Sequence, residues 1–204
     1  MGHPRLDSSN VLDLTLVEMS TRKRILKTLE YYRANMPGFE DAYIMRTATQ
    51  LGVRGGRRII GEYTLVEMDI HTGRLFDDTV MVDGPFNNTM SPEYPMRSIP
   101  YRCLVPKEVN GLLAAGRIWS AQDRAISDHA SMPRCIAMSQ AAGVAAALAV
   151  KTRKDPRNIN VKMLQDSLRK QGCYLPDNET ISKINGFTSN VEADGTKPEA
   201  GKKK

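Results

Sequence analysis

Residues 132–150 constrain this chain more than any other stretch. The run Met132-Pro133-Arg134-Cys135-Ile136-Ala137-Met138-Ser139-Gln140-Ala141-Ala142-Gly143-Val144-Ala145-Ala146-Ala147-Leu148-Ala149-Val150 carries a single charge, Arg134, and little side-chain bulk. Proline suits the first turn of a helix, where its missing N–H has no intrahelical use, so a long helix is predicted over residues 133–150. A helix so bare must pack its backbone close against a neighbour. Ahead of it, Leu112-Leu113-Ala114-Ala115-Gly116 is short, apolar and ends in glycine, the pattern of a buried parallel strand. Strand, polar loop and helix in that order predict an α/β (mixed α+β) chain.

Thr15-Leu16-Val17-Glu18 has the form of a capping box, and Ile25, Leu29, Tyr32 and Met36 follow at helical spacing. Glu18 can pair with Arg22 one turn on, and Pro37-Gly38 supplies a stop. An amphipathic helix is therefore predicted over residues 15–35, lying on something larger. Over residues 42–82 short apolar runs broken by glycines read as strands: Tyr43-Ile44-Met45, Arg58-Ile59-Ile60, Tyr63-Thr64-Leu65-Val66 and Thr79-Val80-Met81-Val82. His71-Thr72-Gly73 reads as a turn, residues 85–95 as a loop and residues 99–105 as a further strand. A last helix, capped by Asn160, places Val161, Leu164 and Leu168 on one face and stops near Gly172. Residues 188–204 are polar and without period, which predicts disorder.

Composition excludes more than it identifies. The net charge of +6 is spread thinly, with Lys and Arg interleaved among Asp and Glu as on solvated helix faces. Only Arg54-Gly55-Gly56-Arg57-Arg58 is dense, so nucleic acid is not the expected partner. Cys103, Cys135 and Cys173 form no CxxC pairing and His3, His71 and His129 no helical pair, so neither a disulfide framework nor a metal site is expected. A reduced, cytoplasmic setting follows. No uninterrupted apolar run reaches the roughly 20 residues that span a bilayer, and no membrane is expected.

Three stretches together are more specific. Gln50-Leu51-Gly52-Val53-Arg54-Gly55-Gly56-Arg57-Arg58-Ile59-Ile60-Gly61-Glu62-Tyr63-Thr64-Leu65 comes first. Ile99-Pro100-Tyr101-Arg102-Cys103-Leu104-Val105-Pro106-Lys107, with Gly111-Leu112-Leu113-Ala114-Ala115-Gly116-Arg117, comes second. The small-residue run from Met132 is the third. In this order they resemble the C-terminal portion of an FAD-dependent oxidoreductase of the glutathione-reductase-like superfamily, over about residues 15–175. The resemblance implies strands of a substrate domain within residues 1–98, the closing part of an FAD-binding domain over residues 99–175, and an extension over residues 176–204.

It also implies FAD as cofactor and flavin-mediated hydride transfer as activity. Carried over, Gly116 and Arg117 approach the ribityl-phosphate region. The opening turn around Pro133, Arg134, Cys135 and Ile136 faces the pyrimidine side of the isoalloxazine, where its amides would stabilise negative charge. A positive helix end suits that place, because reduced flavin is anionic there. Arg54, Arg57 and Arg58 either hold a small carboxylate substrate bidentately or pair with Glu62, Glu67 or Asp69. His129, beside Asp128, either donates a proton at the flavin or is an exposed loop histidine. Cys135 is either a thiol of lowered pKa at a helix start or a buried structural one. The family often has Glu-Ser where Gly55-Gly56 stands, and an Arg in place of Ala130.

No G-x-G-x-x-G turn for the ADP half of a dinucleotide is present. One expectation is a subunit or truncated product whose partner chain supplies the dinucleotide fold, with an exposed apolar half-core needing cover. The other is a non-catalytic structural or interaction protein that no longer binds FAD.

Overall fold

The computed structural model describes residues 6–53, 55–83, 97–122, 131–177 and 179–181. Two compact units divide the chain, Met1–Arg57 and Arg58–Lys204.

The first unit is built on helix α1, Val11–Asn35. It starts four residues ahead of the expected position because a better cap lies upstream. The Asn10 carboxamide accepts the Leu12 amide at 2.9 Å, satisfying a donor that a helix start leaves open, and the Asp13 carboxylate accepts the Asp7 amide at 2.8 Å, holding the chain ahead of the helix. The Thr15 hydroxyl instead donates to the Val11 carbonyl one turn back, at 2.8 Å, so the anticipated capping box is not used. Glu18 and Arg22 form the expected ion pair. The helix ends where the Met36 amide donates to the Tyr32 carbonyl and Gly38 takes φ +88°. No residue of α1 is buried. Residues 43–45 are extended but join no ladder, and Tyr43 and Met45 are exposed; the strand expected there does not form.

The second unit begins with extended chain over residues 58–66, where two strands were expected. That segment changes partner every few residues. Ile59 donates to Ile118, Glu62 to Val105, Tyr63 to Arg102 and Leu65 to Ser120, while Lys107 donates to Ile60 and Gln122 to Leu65. Only the isolated bridges Gly61 with Pro106 and Leu65 with Ala121 result, because a ladder needs one partner held over successive residues. A short helix α2, Glu67–His71, follows, ahead of a turn at Gly73 with φ +62°.

Strands β1, Thr79–Asp83, and β2, Arg97–Pro100, pair antiparallel with Met81 opposite Ile99. The strand expected over residues 99–105 is cut short by a 3-10 turn, Tyr101–Cys103. Residues 112–115 are not the expected buried strand either. Glycines in the left-handed region stand at both ends, Gly111 at φ +69° and Gly116 at φ +76°. One backbone bond, Ala114 to Leu104 at 2.9 Å, ties the segment down, and Leu112 is exposed. A 3-10 turn, Gly116–Ile118, closes it.

Helix α3, Met132–Thr152, runs as the sequence predicts, with proline in its first turn. Met138, Ala141, Ala145 and Ala149 form its buried stripe, and the small side chains let it pack against β1, the turn Gly116–Ile118 and the last helix. By length and composition α3 could cross a membrane, which corrects the expectation that no segment reaches that length. Only 22% of its apolar window is buried, and that buried stripe is part of the core. That core also holds Leu65, Phe76, Ile99, Leu104, Trp119, Leu164 and Leu168.

Helix α4, Val161–Lys170, is capped as expected: the Asn160 carboxamide accepts the Met163 amide at 3.2 Å, and Gly172 at φ +85° ends it. Its Gln165 amide donates to the carbonyls of Asp77 at 2.8 Å and Thr79 at 3.0 Å. Arg157 ties the connection before α4 to the extended segments, donating to Glu62 at 2.7 Å and to the Pro106 carbonyl at 2.6 Å. The tail expected to be disordered lies outside the described residues.

Candidate functional site

Two features predicted to face the cofactor are built from local geometry. The first is the opening turn of α3. Its cap residue Ser131 makes no side-chain capping bond and no acidic residue lies in the first turn. Pro133 has no N–H, and the Cys135 amide donates to the Ser131 carbonyl at 3.1 Å. Within the ladder Ile136 belongs one residue deeper still. Of the amides expected around Arg134, Cys135 and Ile136, that of Cys135 is engaged inside the helix, so the first-turn donors without an acceptor inside the helix are those of Met132 and Arg134. Met132, Pro133 and Ile136 are exposed around this end.

Arg134 turns the other way. Its side chain is buried and forms an ion pair with Asp83, the last residue of β1. Cys135 is half-buried.

The second feature is the turn at Gly116 and Arg117. Gly116 needs to be glycine for its backbone, and nothing lies within 4 Å of where a Cβ would stand, so its surface is open to close approach. Arg117 is exposed beside it. The turn packs on α3, which brings Gly116 and Arg117 into the same layer as the helix carrying Pro133, Arg134, Cys135 and Ile136.

Other expected residues fall elsewhere. Arg57 is exposed in the first unit, where it acts on Asp7; that carboxyl is held below its ordinary value first by the Ser9 amide, then by the Ser9 hydroxyl, and least by Arg57. Of the acids weighed as partners for the arginine cluster, Glu62 is paired with Arg157 and Asp69 with Arg74. Arg54, Asp128, His129 and Ala130 lie outside the described residues. Among the described residues no group of His, Cys, Asp and Glu could hold a metal ion.

One polar cluster has no counterpart in the sequence reading. The Tyr63 hydroxyl donates to the Asp69 carboxylate at 2.6 Å, Arg74 pairs with the same carboxylate, and the Arg102 guanidinium stands 5.4 Å from the Tyr63 ring centre. Burial first, then the bond to Asp69, pushes the Tyr63 hydroxyl from 10.0 up to about 12. A tyrosine with a raised folded pKa contributes stability that is complete below the unfolded value and fades as pH climbs through the folded one. In an ultraviolet titration the Tyr63 hydroxyl should stay un-ionised well above its ordinary value of 10.0. Replacement of Asp69 by Asn should bring its transition down; an unmoved transition would show that the bond to Asp69 does not hold it. Burial pushes the Cys103 thiol well above its ordinary value, as fits a thiol packed in the core.

A helix start without a side-chain cap and a turn with open space at Gly116 are each features that can receive an electron-rich group, such as a phosphate or the oxygen-bearing edge of a ring. A family profile described as FAD dependent oxidoreductase matches residues 3–168, and the chain belongs to that family. FAD is accordingly its cofactor. No curated protein and no solved structure matches the chain. The residues present leave room for part of such a cofactor, since the α3 start has no side-chain cap and nothing lies within 4 Å of a Cβ at Gly116.

Proposed function

We propose that the chain takes part in flavin-mediated hydride transfer, within a glutathione-reductase-like arrangement in which α3 and the Gly116–Ile118 turn hold the flavin end of FAD. The observation that carries this reading is the opening turn of α3, which has neither side-chain cap nor acidic residue. FAD supplies the two-electron chemistry. The chain's own work is to bind and to bias. The amides of Met132 and Arg134 favour negative charge at the ring edge, Gly116 admits the ribityl chain, and Arg117 supplies a cation toward the phosphate side. Arg54 and Arg57 are proposed to hold a small carboxylate substrate, and His129 to hold or donate a proton. The ADP half of the cofactor is to be gripped by residues outside these 204, in the same polypeptide or in a partner chain, and the setting is cytoplasmic.

The test is a titration of the purified protein with FAD, alone and with a candidate dinucleotide-binding partner, read by the visible flavin band and by quenching of flavin fluorescence. Replacement of Arg117 by Ala should weaken binding by about tenfold or more, the worth of one hydrogen bond to a charged group, while Lys at this position recovers part of it. If no flavin is retained under either condition, the non-catalytic scaffold reading replaces this one.

A further inference from the structure

Three consecutive residues at the 3-10 turn Pro156–Asn158, between α3 and α4, each hold a different part of the chain. The Asp155 carboxylate accepts the Arg157 amide at 2.9 Å with one oxygen and the Gly111 amide at 2.7 Å with the other. The Pro156 carbonyl accepts the hydroxyl of buried Tyr101 at 2.8 Å, which fixes the turn to the core. The Arg157 guanidinium then spreads over a single loop. Its Nη1 donates to the Glu62 carboxylate at 2.7 Å and the Lys107 carbonyl at 3.0 Å, and its Nη2 to the carbonyls of Pro106 at 2.6 Å and Val109 at 3.4 Å. Carbonyl oxygens drawn to one place repel each other, so a loop of this shape needs a cation among them. Only a planar fork of several donors can serve them together; an ammonium is a point charge. The Arg157 side chain is 25% exposed, so solvent screens it only in part.

What this clasp holds is the chain that leads to Gly116. The loop closes at Gly111, at φ +69°, and residues 112–115 then run straight into the turn Gly116–Ile118. Lys107 is also tied to Ile60 at the start of the loop, and Ala114 to Leu104 beyond it, but the stretch between is shaped by Asp155 and Arg157. We infer that Asp155 and Arg157 are positioning residues: by clasping residues 106–111 they set where the turn carrying Gly116 and Arg117 stands, and through it the hold of that turn on an electron-rich ligand. The ligand half of this inference rests on the proposed function; the clasp itself does not. Neither residue is asked to touch the cofactor. With the fork removed, the loop carbonyls lose their shared donor, the Gly111 end loosens, and the turn loses its fixed place. A residue that merely stabilises the whole domain would instead loosen distant elements equally, and its effect on binding would add to that of Arg117 without coupling.

The experiment uses the full chain and the variants Arg157→Ala, Arg157→Lys and Asp155→Ala, together with Arg117→Ala alone and combined with Arg157→Ala. Amide hydrogen exchange is followed at Gly111, Ala114 and the Gly116–Ile118 turn, with the amides of β1 and β2 as the control for folding. FAD affinity is read by quenching of flavin fluorescence, with and without the candidate partner chain. Arg157→Ala should raise exchange at Gly111 and at the turn about tenfold, the worth of one hydrogen bond to a charged group, with β1 and β2 unchanged. Methylguanidinium added to that variant should restore protection, and methylammonium should not. Arg157→Lys, which keeps the charge and carries the same readouts should alanine not fold, should fall between. FAD binding should weaken about tenfold in Arg157→Ala, and adding Arg117→Ala should then cost much less than it does alone, because the turn is already displaced. Exchange at the turn that is unchanged in the Arg157 and Asp155 variants, or that rises equally in β1 and β2, overturns the inference whether or not flavin binds. A local rise in exchange with strictly additive losses of FAD affinity overturns its ligand half. A wild-type chain that takes up no FAD under either condition, yet shows the local rise in the variants, overturns the proposed function and leaves Asp155 and Arg157 as the anchors of the loop.

Discussion

Replacement of Trp119 by Ala should destabilise the protein by about 3–5 kcal/mol, the usual cost of emptying a buried aromatic site. Trp119 is wholly buried and belongs to the same core cluster as Leu65, Cys103, Leu104, Met138 and Ala141. Its neighbours on the chain are pinned as well: the Ser120 amide donates to the Cys103 carbonyl at 3.0 Å, so the backbone cannot readily collapse into the space. Against a typical domain stability of about 5–15 kcal/mol, the loss is a large fraction of the whole. The measurement is urea unfolding followed by far-ultraviolet circular dichroism, because Trp119 is the chain's single tryptophan and its fluorescence disappears with it. Phe at the same position should cost less than half as much. A midpoint for Trp119→Ala equal to that of the wild type would mean that Trp119 does not anchor this core.

The second large effect is expected at Gly61. A Cβ placed there would stand 2.7 Å from the Ser120 Cβ, 3.0 Å from the Tyr63 carbonyl oxygen and 3.1 Å from that of Arg102. None of the three atoms is the free end of a flexible side chain, so backbone has to move. Alanine should cost about 1–3 kcal/mol by overpacking, and the damage should spread along the single-bond contacts that Gly61 and its neighbours make with residues 102–107. Ser120→Gly removes the nearest obstacle, so the double variant should regain part of the loss, with a coupling of at least about 0.5 kcal/mol. Strict additivity of the two changes would place the conflict elsewhere.

What was legible in the sequence divides along a physical line. Helices α3 and α4 were readable because their signals are local: proline in a first turn, Asn160 as cap, Gly172 as stop, and a small-residue stripe. The start of α1 was misplaced because two local caps compete within five residues, and only the folded geometry shows Asn10 and Asp13 prevailing over Thr15. The extended segments were the least legible. Residues 58–60, 63–66 and 112–115 have strand-like composition, but a strand is defined by a partner: those of 58–66 change every few positions, and 112–115 is held by the bond from Ala114 to Leu104. The family was recoverable from three ordered stretches, whereas the inward turn of Arg134 was not: its partner Asp83 lies far away in sequence, and nothing around Arg134 distinguishes a buried ion pair from a cofactor contact. The bond between Tyr63 and Asp69 was not foreseen for a different reason, since Asp69 was weighed only as a partner for the arginine cluster.

Gln165 leaves one more consequence. The carbonyl of Asp78 is taken by the Tyr101 amide, while those of Asp77 and Thr79 on either side both receive the Gln165 carboxamide. At the first residue of β1, Gln165 therefore occupies an acceptor that an incoming strand would need, and a single side chain on α4 makes that end of the ribbon less open to strand addition.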